Sequence, residues 1–201
     1  ILARRDVPEH MAAIKDKEIE PIDMVVINLY PFKQTVLKEG VEFEDIVENI
    51  DIGGPSMIRA AAKNYQSVAV VTDPSQYPEI IDQLKNNGEL SLELHEKLMA
   101  EAFITTSNYD AMIASQMKKR FIGNFPESFP VPLEKVQELR YGENPNQKAA
   151  FYKDPFTPGP TVAKAECLWG KELSYNNILD LDKALDICMD FERPTAVVMK
   201  H

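Results

Sequence analysis

Three short apolar runs stand out from an otherwise mixed chain: "MVVINL" from Met24 to Leu29, "VAVVT" from Val68 to Thr72 and "AVVM" from Ala196 to Met199. None alternates apolar with polar positions, so the pattern predicts strands covered on both faces, as in a parallel sheet flanked by helices. Between the first two runs lies "NIDIGGPSMIRAAAKN", where Pro55 suits the first turn of an alanine-rich helix because its missing N–H has no partner there. Strand, connection, helix and strand in this order are the grammar of a right-handed crossover unit.

Further along, the turn "DPSQYP" predicts a helix over about Pro78 to Lys85, ended by "NNG". The segment "SLELHEKLMAEAFITTSNYDAMIASQMKKRF" predicts one long helix or two abutting ones. Ser91 is its N-cap, and Leu94, Leu98 and Ala102 share one face. The prolines of "IGNFPESFPVPLEKVQELRYGENPNQKAAFYKDPFTPGP" break regular elements and predict a linker into a second domain, with the boundary near Val131. The expected domains are therefore residues 1–131 and 132–201. A helix is expected from Leu179 to Phe191, leading through "ERP" to the last strand.

At 201 residues the chain can bury a core as one large or two modest domains. Its 22 basic against 32 acidic residues give a net charge of -10, which excludes a general binder of nucleic-acid backbones. A small anion remains possible, since a few local cations outweigh the global field at short range. Cys167 and Cys188 are too few for a disulfide framework and read as reduced thiols of a cytoplasmic protein. No apolar run approaches the roughly 20 residues that span a bilayer, and no basic-then-apolar segment opens the chain, so membrane and secretory readings fall away. The chain opens on Ile1 and closes on "PTAVVMKH", which is expected of a piece of a longer polypeptide.

The glycine-proline segment carries the most suggestive chemistry. Gly53 and Gly54 let backbone N–H groups approach a ligand at a helix N-terminus, which favours phosphate or a developing oxyanion. Ser56, Arg59 and Lys63 follow at i, i+3 and i+7 on one stripe, where the two cations repel unless an anion lies between them. A plain capped helix with a solvated basic edge explains the same pattern. Asp51 is either a turn residue or an acid/base partner of Lys63, and the latter requires the loop to fold back. Tyr30 ends an apolar strand, where ligands collect in open α/β sheets, or else packs over the sheet edge.

In "RYGENPNQ", Arg140 offers a planar fork for phosphate and Tyr141 a face for a heterocycle; a polar interdomain turn is the alternative. "GKELSYNN" suits either helix capping or base recognition. Lys200 and His201 could stabilise an oxyanion and relay a proton. His10 and His95 read as surface residues. No three His, Cys or carboxylate groups have metal-ligand spacing, and no G-x-G-x-x-G, P-loop or G-x-S-x-G occurs.

The order of "LARRDVPEH", "EPIDMVVINLYPF", "ENIDIGGPSMIRAAAKN", "VAVVTDP", "RYGENPNQKAAFY", "GKELSYNN" and "AVVMKH" closely resembles the bifunctional purine biosynthesis proteins that join AICAR transformylase to IMP cyclohydrolase. The resemblance runs from end to end. It implies an α/β fold: an incomplete methylglyoxal-synthase-like parallel-sheet domain, then the start of a cytidine-deaminase-like α/β transformylase domain. It implies formyl transfer from 10-formyltetrahydrofolate, a co-substrate, to AICAR, and closure of formyl-AICAR to IMP, with no metal required. Partners would be these nucleotides and the reduced folate, with no nucleic acid or membrane, in a cytoplasmic homodimer.

Matched position by position, the resemblance makes Tyr30 an active-site tyrosine, Asp51 and Lys63 an acid/base pair, and Gly53 and Gly54 a glycine loop. Arg140, Tyr141 and Asn177 become nucleotide contacts. Lys200 and His201 become the formyl-transfer pair, His201 taking the amine proton and Lys200 serving the formyl oxyanion or passing a proton to folate. Two departures matter. Asn146 in "NPNQ" stands where relatives commonly carry histidine, and no acid/base role transfers to it. A "KTLHP"-type segment ahead of "ILARRD" and everything beyond "KH" are absent, so the piece alone is expected to lack parts of both sites. Rival readings are another α/β nucleotide enzyme such as a dehydrogenase, disfavoured by the missing glycine fingerprint, and a non-catalytic nucleotide-binding, phosphate-binding or dimerisation module.

Overall fold

The computed structural model describes residues 1–123 and 125–200 and separates into two compact units, Ile1–Val131 and Pro132–His201. In the first unit a short helix, α1 (Pro8–Asp16), precedes strand β1 (Met24–Val26). Two brief helices follow, α2 (Phe32–Val36) and α3 (Phe43–Glu48), and then α4 (Gly53–Lys63) leads to strand β2 (Ala69–Val71). A 3₁₀ turn at Pro74–Gln76 opens α5 (Tyr77–Asn87), and α6 (Leu92–Phe121) completes the unit.

β1 and β2 pair in parallel, Val25 opposite Val70, so the expected crossover unit is present. The ladder is shorter than the apolar runs. Ile27 donates one more bond to the Val71 carbonyl, after which the chain leaves the sheet. Burial on both faces holds for β2, all of whose residues are buried, but Val26 of β1 is half exposed. The core is Val25, Val68 to Val71, Ile58, Ala61 and Ala62 of α4, Ile80, and Leu94, Leu98 and Ala102 of α6. Fully burying a side chain such as Ile58 or Leu98 contributes about 1.5–3 kcal/mol, so this layer dominates the unit's stability.

Of the two readings of the long helical segment the single helix holds: α6 runs unbroken for 30 residues. The Ser91 hydroxyl accepts the Leu94 N–H at 3.2 Å, as the sequence predicts. Thr106, a poor helix former, is tolerated mid-helix because its buried hydroxyl donates back to the Ala102 carbonyl at 3.2 Å. Gly88, at φ 76°, closes α5 in the left-handed conformation that glycine adopts without strain.

The second unit corrects the expectation of a linker. Antiparallel strands β3 (Glu134–Leu139) and β4 (Ala149–Lys153) form a hairpin, with Leu139 opposite Ala149 and an irregularity between Lys135 and Gln137. The prolines lie outside the strands, where no ladder N–H is lost. Helix α7 spans Tyr175–Met189, beginning earlier than predicted because Ser174 caps it. The predicted strand at Ala196 to Met199 is not formed. Those residues form no regular element and have no ladder partner among the described residues, and Val198 is almost fully exposed. Among the described residues no helix is long and apolar enough to cross a membrane.

Candidate functional site at the carboxyl end of β1

The chain leaving β1 turns sharply at Tyr30, whose carbonyl accepts the Phe32 N–H at 2.8 Å. The Tyr30 N–H itself donates to Asp51 Oδ2 at 3.2 Å. Asp51 comes from the loop between α3 and α4, and its Oδ1 accepts the Gly54 N–H at 2.8 Å. One carboxylate thus joins the exit of a strand to the entrance of a helix. Its negative charge sits at the positive end of the α4 dipole, a favourable placement.

Gly54 is required by this closeness. A Cβ built there would lie 2.6 Å from Asp51 Oδ2 and 2.8 Å from Leu29 Cδ2, distances that side chains do not tolerate. Gly53 is different, with nothing within 4 Å of its Cβ position.

The site loop is held from beneath by α6. The Asp51 N–H donates to the Tyr109 hydroxyl at 2.8 Å, and that hydroxyl donates to the Asn49 carbonyl at 3.4 Å. The Tyr109 ring meets Phe32 edge-on, with centroids 6.1 Å apart and planes at 68°. Burial pushes the Tyr109 phenol above its ordinary pKa, which the Asp51 N–H bond partly offsets, so at neutral pH the group remains a donor. The sequence held a signal for this residue. Tyr109 continues the buried stripe of Leu94, Leu98, Ala102 and Thr106, and a hydroxyl in such a position must find partners.

The remaining predicted groups of this unit do not join the cluster. Asp51 and Lys63 lie at opposite ends of α4, separated by about 15 Å at 1.5 Å per residue, and the loop does not fold back to pair them. Lys63 occupies the last turn, exposed, where a cation suits the helix dipole. The Arg59 guanidinium lies 5.6 Å from the centre of the Phe103 ring on α6. The Ser56 hydroxyl donates to the Ile52 carbonyl at 2.9 Å. At the start of α4 the Gly54 N–H therefore serves Asp51, and Pro55 has no N–H to offer a ligand. Tyr30 stands at the rim with its side chain more than half exposed.

In the second unit, Arg140 and Tyr141 sit in the loop that joins β3 to β4, the guanidinium 5.6 Å from the tyrosine ring centre. Gly142 closes that loop by donating to the Gln147 carbonyl at 2.8 Å. Asn177 caps α7: its Oδ1 accepts from the Ser174 N–H at 3.2 Å and hydroxyl at 3.0 Å, while its own N–H donates to the Ser174 hydroxyl at 3.4 Å. Lys200 is exposed, and His201 lies outside the described residues. Cys167 and Cys188 are free thiols. His95 is not a free surface residue, since its Nδ1 lies 2.5 Å from the Tyr65 carbonyl. Among the described residues no group of three metal-binding side chains occurs.

A cavity of about 310 Å³ opens at the carboxyl end of β2, lined by Thr72, Gln76, Lys97, Glu101 and Thr105 among others. Its polar groups are bonded to one another. Gln76 accepts from the Thr72 N–H at 2.8 Å and donates to Glu101 at 2.5 Å, and Lys97 pairs with Glu79 at 2.6 Å.

A short parallel sheet flanked by helices, followed by a separate unit, makes this a two-part α/β chain. Residues 3–56 match the MGS-like domain, and residues 61–201 match the AICARFT/IMPCHase bienzyme. The chain belongs to the AICARFT/IMPCHase bienzyme family. It is 52% identical over 201 residues to the bifunctional purine biosynthesis protein PurH of Bacillus mycoides (strain KBAB4), covering 100% of this chain and 39% of that protein. The PurH of Caldicellulosiruptor saccharolyticus is 50% identical over 204 residues, covering 100% of this chain and 40% of that protein. The crystal structure of ForH matches with 32% identity and a TM-score of 0.47, over 56% of this chain and 58% of that one. The chain spans about two fifths of the length of these PurH relatives.

Proposed function

We propose that this chain forms part of a bifunctional enzyme of purine biosynthesis. In this reading the enzyme transfers a formyl group from 10-formyltetrahydrofolate to the amine of AICAR and then closes formyl-AICAR to IMP. The observation that supports it best is the meeting of Tyr30, Asp51 and Gly54 at the carboxyl end of β1, where α/β sheets gather ligands, in a chain of this family.

Ring closure joins the carboxamide nitrogen to the formyl carbon. The former formyl oxygen leaves as water, carrying two protons, one from the carboxamide nitrogen and one from the formamido nitrogen. Those protons must be moved between neighbouring atoms, which is work for positioned acid/base groups. Asp51 suits it: each carboxylate oxygen accepts one backbone N–H and keeps a second lone pair directed elsewhere. Tyr30, whose N–H holds Asp51, carries a phenol on the exposed rim. Gly53, with open space at its Cβ position, lets a substrate oxygen approach the helix start. Lys63 belongs to this reading through the resemblance to the family and Arg59 through its place on the same stripe of α4, neither through contact with Asp51.

In the second unit the proposal gives Arg140 and Tyr141 to the nucleotide and Lys200 and His201 to formyl transfer. His201 would take the amine proton, and Lys200 would steady the oxyanion. A homodimer in the cytoplasm, free of metal dependence, completes the reading. A non-catalytic nucleotide-binding, phosphate-binding or dimerisation module is the second reading, favoured by the separation of Lys63 from Asp51 along α4.

The test is a pair of substitutions in the full-length enzyme carrying this chain, with both reactions assayed. Lys63→Ala is expected to depress ring closure and spare formyl transfer, and His201→Ala to do the reverse. Equal damage to both reactions by each change, in folded protein, would refute the two-site assignment. Absence of ring closure in the unsubstituted enzyme would leave the module reading in its place.

A further inference from the structure

We infer that Tyr109 is a positioning residue for ring closure, holding the Asp51 loop against α6 so that the carboxylate stays between the Tyr30 and Gly54 amides. The inference rests on the function proposed for that site. It does not give Tyr109 any contact with substrate.

The geometry carries the argument. The Tyr109 hydroxyl makes two bonds to one loop, accepting the Asp51 N–H at 2.8 Å and donating to the Asn49 carbonyl at 3.4 Å. These flank Ile50 and fix the peptide that presents the Asp51 side chain. The ring of the same residue packs on Phe32, two residues beyond Tyr30 and almost fully buried. A single side chain of α6 therefore braces both walls of the site, the β1 exit through its ring and the Asp51 loop through its hydroxyl.

Apart from the bonds of the Asp51 carboxylate to the Tyr30 and Gly54 N–H groups, the loop is thinly packed. Ile52 is three-quarters exposed, and α3 before it has no buried residue. Tyr109 itself is only 5% exposed, on a helix fixed to the core by Leu98 and Ala102. Rigid support of a catalytic group matters because a misplacement of about 1 Å can cost a hundredfold in rate.

The experiment is Tyr109→Phe in the full-length enzyme carrying this chain, a change that keeps the ring and removes only the hydroxyl. The expected result is a fall in kcat for conversion of formyl-AICAR to IMP on the order of ten- to a hundredfold. KM should shift far less, and formyl transfer should match the unsubstituted enzyme. Undiminished ring closure, or a parallel loss of both reactions, would overturn the inference. If the unsubstituted enzyme does not close the ring, the proposed function falls and the inference with it. Normal closure in both proteins removes the inference alone. A second measurement does not depend on the variant's folding: hydrogen exchange of the Asp51 amide in the unsubstituted chain. Protection supports the brace, and exchange at the rate of an unstructured peptide overturns it.

Discussion

Asp51 reaches across 21 residues of sequence to accept the Tyr30 N–H, and it accepts the Gly54 N–H with its other oxygen. The two glycines at the start of α4 are therefore not equivalent. Gly54 has Asp51 Oδ2 and Leu29 Cδ2 within 2.8 Å of where a Cβ would stand, while Gly53 faces open space. Gly54→Ala should cost about 1–3 kcal/mol through this overpacking, measured by urea unfolding of the chain. Gly53→Ala should leave stability unchanged or raise it by up to about 1 kcal/mol, since alanine is the better helix former. Equal costs at the two positions would contradict the packing described.

Asp51→Asn separates the structural work of this side chain from its proposed chemistry. The amide retains one oxygen for one of the two N–H donors and presents an NH₂ group to the other. The expected loss of stability is then about one hydrogen bond, 0.5–1.5 kcal/mol. Ring closure in the full-length enzyme should fall much further, by about 10²–10⁴-fold, as for removal of a general acid or base. Unfolding curves and turnover of formyl-AICAR on the same preparation check both halves. A rate loss no larger than the stability loss explains would reduce Asp51 to a cap.

At the other strand exit, Asp73 Oδ1 accepts the Ser75 N–H at 2.8 Å and caps the 3₁₀ turn. The hydrogen bonds from Ser75 hold the Asp73 carboxyl below its ordinary pKa. A depressed folded pKa means that this contribution is present above the unfolded value of about 3.9 and is lost as pH falls through the folded one. Asp73→Ala should cost about 0.5–1 kcal/mol at pH 7, the low end for a cap because the group is exposed. The difference between variant and parent chain should shrink towards pH 2. A gap that widens with acid would reverse the sign of the argument.

Features written in local chemistry were legible in the sequence: the Ser91 cap, the Gly88 stop, the helix after the paired glycines and the parallel pairing of the first two apolar runs. The long helix was ambiguous because Thr105 to Asn108 are weak helix formers, and the burial of Thr106 and Tyr109 overrides that preference. The run Ala196 to Met199 has strand propensity without a strand, because a ladder needs a neighbour that local pattern does not supply. The reverse error hid β3, whose "EKVQEL" is mostly charged and polar and gains its partner Ala149–Lys153 only across the "RYGENPNQ" loop. Asp51 illustrates the same limit at the site. Sequence spacing offered Lys63, whereas folding delivered Tyr30 and Tyr109, which lie 21 and 58 residues away.

Asn177 serves two readings, and its two amide atoms let them be told apart. Its Oδ1 closes the capping box with Ser174, whose side chain is buried and needs the partner. Capping uses only the oxygen, whereas a hydrogen bond donated to a nucleotide would use the NH₂ group. Asn177→Asp keeps an oxygen in place and adds a negative charge in the first turn of α7, where the helix dipole favours it. It should therefore leave stability within about 0.5 kcal/mol of the parent chain. Asn177→Ala removes the oxygen and should cost about 0.5–2 kcal/mol. Nucleotide binding in the full-length enzyme, followed by titration calorimetry with AICAR, should fall in both variants if the proposed contact is real. Binding that survives in Asn177→Asp while stability falls in Asn177→Ala would assign the residue to the cap alone and return "SYNN" to a purely structural role.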